Sequence, residues 1–228
     1  MTVLSTKILS PAQKELLLNA GLGLVQYDAI LIEALPFDWP VGYSNFIFSS
    51  ANAARIVLAN PLAKNEVLDP KNQLFCVGKK VAQLFTEKGG NVAEIAENAS
   101  ELGKNIAKRG KKATFLYPCG ISRRDELPTI LKNAKIENFE LKTYETCLKP
   151  KEFEQNWAEI LFFSPSAVIS YTQANPRATF RAFCIGPTTA EEAKKHTDHV
   201  VIANRPSIES VIAKTAKTLL HDQERSIS

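Results

Sequence analysis

Hydroxyl-bearing and glycine-containing turns recur along this 228-residue chain wherever a short apolar run gives way to an amphipathic one. Ser49-Ser50-Ala51-Asn52, Gly78-Lys79-Lys80, Pro118-Cys119-Gly120-Ile121-Ser122-Arg123-Arg124, Ser164-Pro165-Ser166 and Gly186-Pro187-Thr188-Thr189 all occupy such places. Small residues at a strand-to-helix turn let a ligand approach the backbone closely. The first helical N–H groups there point outward without intrahelical partners, which suits an anion. Taken singly, each Ser or Thr is equally at home as a helix cap. Taken together, turns of one kind predict a shared cleft for a ligand with several separated carboxylates or phosphates, because open α/β sheets bind ligands at the carboxyl ends of their strands.

Other chemistries find no support. No G-x-G-x-x-G follows a strand-like run, and Gly21-Leu22-Gly23 comes after a helix-like one, where it reads as a C-cap and turn. Neither a P-loop nor a G-x-S-x-G nucleophile elbow occurs. His196 and His199 have no third metal ligand close by, and His221 lies in the tail, so neither a metal site nor a hydrolase base is expected. Cys76, Cys119, Cys147 and Cys184 are far apart with no C-x-x-C pair, and read as small hydrophobes in a reducing compartment. No cofactor is implied.

The charge balance excludes further classes. Lys and Arg number 28 against 24 Asp and Glu, a net charge of +4. That is too weak for a nucleic-acid binder, which concentrates its cations on one face. The densest basic stretch, Lys104–Lys112, reads as a helix end and turn, with cations favoured by the helix dipole. The modest excess helps an anionic small molecule approach. No apolar run reaches the roughly 18–20 residues of a membrane span; Ile160–Tyr171 is interrupted by Ser164, Pro165 and Ser166. Leu16–Val25 follows Lys14 and Glu15 without a basic leader or cleavage site, so no secretory signal is read there. A cytoplasmic α/β protein is expected.

The elements that must position these turns alternate regularly. Strands are predicted at Ala29–Leu35, Phe46–Ser49, Leu74–Val77, Ala113–Tyr117, Leu141–Thr146, Ile160–Ser164, Phe180–Ile185 and Val200–Ile202. Amphipathic helices are predicted at Pro11–Ala20, Ala51–Leu58, Lys79–Lys88, Ser100–Lys108, Asp125–Ala134, Thr188–His196 and Ser207–Leu219. Alternation of this kind builds parallel sheets. Two sheets suit the number of elements better than one. Internal echoes agree: Phe75-Cys76-Val77-Gly78 with Phe183-Cys184-Ile185-Gly186, Phe48-Ser49 with Phe163-Ser164, Ile106-Ala107-Lys108 with Ile212-Ala213-Lys214, and Leu4 with Leu116. Each pair stands about 110 residues apart, as two related halves would give. The opening segment, 1–36, could complete its sheet with 46–108 or with 160–228, and the echoes do not choose. Ile32–Pro36 and Tyr144–Pro150 lie at the joins and could pair as strands crossing between lobes.

Taken in order, Phe46–Ala53, Phe75–Gly78, Leu116–Leu127, Thr143–Thr146, Leu161–Ser170 and Phe183–Ala193 resemble the uroporphyrinogen-III synthase family. The most specific pieces are Phe163-Ser164-Pro165-Ser166, Ile185-Gly186-Pro187-Thr188-Thr189-Ala190, and Pro118-x-Gly120 followed by Arg124 and Leu127. The resemblance covers roughly residues 1–220. It implies two flavodoxin-like α/β lobes with parallel sheets, joined by a two-stranded ladder. The first lobe is discontinuous (1–36 with 149–228) and the second (37–148) is inserted. It also implies a lyase of haem and porphyrin biosynthesis that cyclises hydroxymethylbilane, a linear tetrapyrrole with eight carboxylates, to uroporphyrinogen III. Ring D inverts and water is lost, with no metal or cofactor.

The resemblance assigns Tyr144, in Tyr144-Glu145-Thr146, as the residue assisting departure of the hydroxyl. Ser49, Ser50, Gly78, Lys79, Gly120, Arg124, Ser164, Ser166, Gly186, Thr188 and Thr189 would hold the substrate. Val81 stands where some relatives carry threonine, and Ser5-Thr6-Lys7 replaces a threonine–arginine–proline turn, leaving Lys7 as the cation there. The rival class on the same fold is a non-catalytic two-lobed binding module for an acidic metabolite. A monomer that binds neither nucleic acid nor membrane is expected in either case.

Overall fold

The computed structural model describes residues 1–109 and 113–227. Residues 110–112, the end of the basic Lys104–Lys112 stretch, lie outside the described residues. The fold is mixed α/β with parallel sheets, as the alternation of apolar runs and amphipathic stretches predicts. By internal contacts the chain divides into unit 1, Met1–Leu31 with Cys147–Ser228, and unit 2, Ile32–Thr146.

Unit 1 contains β1 (Thr2–Ser5), α1 (Pro11–Asn19), β2 (Gly23–Gln26), β9 (Glu159–Phe162), α7 (Pro165–Ala174), β10 (Arg181–Cys184), α8 (Pro187–Ala193), β11 (Val200–Ile202) and α9 (Ile208–Ile227). Its five strands lie in the order β11-β10-β9-β1-β2, and every pairing is parallel. Between the two stretches of unit 1 run β3 (Ile30–Ala34), β4 (Asn45–Phe48), α2 (Ala51–Ala59), α3 (Pro61–Leu68), β5 (Gln73–Val77), α4 (Lys79–Thr86), β6 (Val92–Ala96), α5 (Ala99–Lys108), β7 (Phe115–Gly120), α6 (Glu126–Asn133) and β8 (Asn138–Leu148). These strands form a six-stranded sheet in the order β3-β8-β7-β4-β5-β6. Bonds from Leu35 N–H to the Thr143 carbonyl and from Lys149 N–H to the Ala29 carbonyl show β3 running antiparallel to β8. The chain passes from unit 1 to unit 2 within β3 and returns within β8.

Short strands of consecutive apolar residues form here because both faces of each parallel sheet are covered. On β4, Phe46 and Phe48 join a cluster with Ala54, Val57 and Phe85, while Ile47 faces the opposite cluster with Phe75, Leu102 and Phe115. The same period of two runs along β9, where Ile160 and Phe162 join one core and Leu161 the other. Each unit therefore carries two clusters, one on each face of its sheet.

Strand order gives the internal echoes a physical meaning. In chain order, unit 1 runs 2-1-3-4-5, the flavodoxin pattern, and the parallel strands of unit 2 run 3-2-1-4-5. Read from β9 instead of β1, unit 1 also becomes 3-2-1-4-5. The halves thus share one topology up to circular permutation: β4 matches β9, β5 matches β10, and β7 matches β1. These are the strands that hold or adjoin the Phe48/Phe163, Phe75/Phe183 and Leu116/Leu4 echoes.

Several elements escape the sequence patterns. β1, β2 and β6 are strands of four or five residues that give alternation little length to register. Asn60 ends α2, and its side chain accepts the Ala63 N–H to start α3 at Pro61, so a second helix follows without a loop. α7 buries Ala167, Val168, Ser170, Tyr171 and Thr172, too wide an arc to read as amphipathic. β7 does not stop before Pro118; its pairing with β8 continues to Gly120 opposite Tyr144.

Candidate active site

In unit 2 the connections leave β4 in one direction through β5 and β6, then return to its other side through β7 and β8. The reversal opens a crevice beyond the carboxyl ends of β4 and β7, where α/β sheets bind ligands. A cavity of about 410 Å³ lies there, and Ser49, Ser50, Gly120, Arg124 and Tyr144 are among its walls. Val77 also lines it, immediately before Gly78 and Lys79. Gly78 has φ +84°, a left-handed conformation that L side chains avoid. It turns the chain from β5 into α4, and Lys79 is exposed at the first position of that helix. A larger hollow of about 660 Å³ runs along α6 and the start of β8, past Lys132 and Asn138, and shares Arg123 with the cavity.

Two serine–tyrosine pairs stand in the cavity wall. Ser49 Oγ is 2.6 Å from the Tyr117 hydroxyl, and Ser50 Oγ is 2.9 Å from the Tyr144 hydroxyl. Ser50 also N-caps α2 by accepting the Asn52 N–H at 3.2 Å. One hydroxyl therefore both caps α2 and contacts Tyr144 in the cavity wall. The Tyr144 ring lies against Gly120: a Cβ built there would be 2.8 Å from ring carbons. The irregular register between Cys119 and Gly120 sets this approach by bringing Gly120 opposite Tyr144.

The turn after β7 is braced by charge. Arg123 reaches Glu140 on β8 with two bonds, Nε to Oε2 at 2.9 Å and Nη2 to Oε1 at 2.5 Å, and also pairs with Asp125. Lys142 Nζ contacts Glu140 Oε2 at 2.7 Å and Cys119 Sγ at 3.4 Å. Burial opposes ionisation of Glu140, but the hydrogen bonds from Arg123 and Lys142 outweigh it and hold the carboxyl below its usual range. Arg123 is thus committed to the brace, while its neighbour Arg124 is exposed on the cavity wall. Burial pushes the Tyr117 hydroxyl up to about 12, only partly offset by its hydrogen bond with Ser49.

The remaining sequence-predicted residues belong to unit 1, on turns at the carboxyl edge of its own sheet. Ser164 follows β9 and caps α7, accepting the Ala167 N–H at 3.1 Å; Ser166 lies in the first turn of that helix and is partly exposed. Gly186 precedes α8 with no side-chain cap, Thr188 is exposed, and Thr189 is buried at 1% exposure. The switch point of unit 1 falls between β1 and β9. At that edge Thr6 donates from Oγ1 to the Leu161 carbonyl at 2.7 Å. Sequence reasoning missed Tyr117 and Arg123 as wall residues. Tyr117 was hidden in an apolar strand, and its only signal was its place two residues before Cys119-Gly120. Cys76, Cys119 and Cys184 are buried, and burial pushes the thiols of Cys76 and Cys184 up to about 12. Among the described residues no three His, Cys, Asp or Glu side chains gather as a metal site would need, and no helix is long and apolar enough to cross a membrane.

Comparison with known proteins agrees with this architecture. The crystal structure of uroporphyrinogen-III synthetase from Helicobacter pylori superposes with a TM-score of 0.72 at 18% identity, covering 95% of this chain and 99% of that one. A mutant uroporphyrinogen III synthase from Thermus thermophilus gives 0.65 at 13% identity over 97% and 99%. The wild-type form of that protein gives 0.53 at the same identity and coverage. At such identities the likeness shows the fold. The family itself is shown by sequence: the family model described as uroporphyrinogen-III synthase HemD matches residues 22–213. The chain therefore belongs to the uroporphyrinogen-III synthase family, cyclising lyases of tetrapyrrole biosynthesis.

Proposed function

We propose that the chain closes hydroxymethylbilane to uroporphyrinogen III through the unit 2 cavity, with Tyr144 as the acid and the flanking turns as carboxylate holders. The carrying observation is the Ser50–Tyr144 pair on the wall of a cavity at the sheet's switch point. The pyrrole nitrogen expels the hydroxyl and leaves an azafulvene cation, so little acid help is needed. If Ser50 donates to Tyr144 Oη, the Tyr144 hydrogen is left to meet the departing oxygen, which leaves as water. Attack at the substituted carbon of ring D then forms a spiro intermediate. Rearrangement to the macrocycle releases a proton, which restores the tyrosine. The protein's main task is orientation.

Ser49, Ser50, Gly78, Lys79, Gly120 and Arg124 serve the substrate from unit 2, and Ser164, Ser166, Gly186, Thr188 and Thr189 from unit 1. We read the protein as a cytoplasmic monomer of two lobes, 1–36 with 149–228 and 37–148, taking no nucleic acid. The contact division after Leu31 and before Cys147 supports the lobes, and the net charge of only +4 supports the last point.

Isomer outcome tests the function. Hydroxymethylbilane closes by itself to the type I macrocycle, and only a shaped site redirects attack to the substituted carbon. Purified protein given fresh hydroxymethylbilane, without added metal or cofactor, should yield mainly the type III isomer after oxidation and chromatographic separation. Mostly type I product at protein levels matching the substrate would overturn the synthase reading and leave a binding protein.

A further inference from the structure

The two serine–tyrosine pairs differ in a way that divides their work. Tyr144 is half-buried, and its partner Ser50 is already engaged by the Asn52 N–H. Tyr117 is 2% exposed, its ring packed in the cluster of Ile47, Phe75 and Leu127, and it also stands in the cavity wall. There it meets Ser49 Oγ at 2.6 Å, and Ser49 is not the cap of α2.

We infer that Tyr117 is a positioning residue for substrate binding: its hydroxyl donates to Ser49 Oγ and so directs the Ser49 hydrogen into the cavity, toward a substrate carboxylate. This rests on the proposed role of the cavity as the substrate site.

The direction of the Tyr117–Ser49 bond follows from acidity. A phenol is a far stronger acid than an alkanol and so the better donor of the two. Burial raises Tyr117 further, so its proton is present at every pH at which the enzyme would work. A serine hydroxyl has one hydrogen and two acceptor sites. With one acceptor site filled by Tyr117, the serine hydrogen needs an acceptor of its own, and a carboxylate in the cavity supplies one as a charge-assisted bond. Without the phenol, Ser49 could turn back to bond a nearby carbonyl, as serines at strand ends readily do. Ser49 would then greet the substrate with lone pairs instead of a hydrogen. Ser50 differs from Ser49 in that the Asn52 N–H already fills one of its acceptor sites, which favours giving its own hydrogen to Tyr144 Oη. The pairs then run in opposite senses, Tyr117 orienting a serine that binds and Ser50 a tyrosine that acts as acid.

A double-mutant cycle on hydroxymethylbilane kinetics tests this. Tyr117→Phe and Ser49→Ala should each raise KM by roughly 10–100-fold, the order expected for a hydrogen bond to a charged group, with kcat changed by less than about twofold. The double variant should be no worse than the worse single one, because the two act as one unit. A raised KM in Ser49→Ala beside a wild-type KM in Tyr117→Phe would overturn the inference and leave the cavity's role standing. Wild-type KM in both would overturn the cavity's role as well. Effects that multiply in the double variant would show two independent contacts and overturn the inference. So would a fall in Tm for Tyr117→Phe with KM unchanged, which assigns the phenol to packing.

Discussion

Tyr144 and Gly120 show how one side chain depends on the absence of another. Tyr144→Phe keeps the ring and removes only the hydroxyl beside Ser50. Because the pyrrole supplies most of the push, turnover should fall by about 10–100-fold, at or below the usual general-acid contribution. Turnover within twofold of wild type would take Tyr144 out of the reaction. Gly120→Ala approaches the same ring from the other side. The added methyl meets ring carbons at 2.8 Å, so the ring must move or the strand must shift. A stability loss of about 1–3 kcal/mol is the usual cost of overpacking, together with a kcat loss in the range of Tyr144→Phe. Calorimetry and steady-state kinetics on one preparation would check both, and an unchanged kcat would mean that ring position does not matter. At this scale Ser50 and Gly120 were singled out because they fall in turns of unusual composition, whereas Tyr144, inside β8, was assigned only through the family resemblance. Tyr117 and Arg123 were not legible. One reads as core, and the other is held by Glu140, which lies on another strand.

Elements were legible where length and periodicity were sufficient. α5, with Leu102 and Ile106 on its buried face, follows its apolar spacing closely. α7 buries most of its length and β6 is short, so neither offers a pattern. Pairings between elements were less legible still, and the Arg123–Glu140 brace between the β7 turn and β8 is one of them. It carries a pH signature. The folded-state pKa of Glu140 is lower than that of an unfolded glutamate, about 4.3. In acid the unfolded chain therefore binds more protons at this group, and unfolding gains. The stabilisation is complete above about pH 5 and is lost as pH falls through the lower folded value. Glu140→Gln should lower Tm at pH 7 and flatten the decline of Tm below pH 5. A variant whose Tm falls as steeply in acid as the wild type would show that other carboxylates dominate the decline.

The molecule as a whole repeats one topology with its beginning shifted. The echoes between Phe75-Cys76-Val77-Gly78 and Phe183-Cys184-Ile185-Gly186 were visible in the sequence because β5 and β10 do the same structural work, ending in glycine before a helix. Which segments complete which sheet was not visible, since a permuted repeat preserves every local echo and changes only the connections. Permutation has a consequence for folding. Unit 1 assembles strands from both ends of the chain, whereas the six-stranded sheet of unit 2 and its two clusters lie within residues 30–148. That stretch needs no loop closed through unit 1, and its core can form from contacts of its own. An excised chain of residues 30–148 should therefore fold alone. Trp39 is its only tryptophan and stacks on Phe46 with centroids 5.7 Å apart, so it reports the outcome. Folding predicts blue-shifted emission that is lost in one cooperative step with denaturant, coincident with far-UV circular dichroism, as a two-state domain requires. Solvent-exposed emission with no transition would show that unit 2 depends on the rest of the chain, and would remove the inserted lobe as an independent unit.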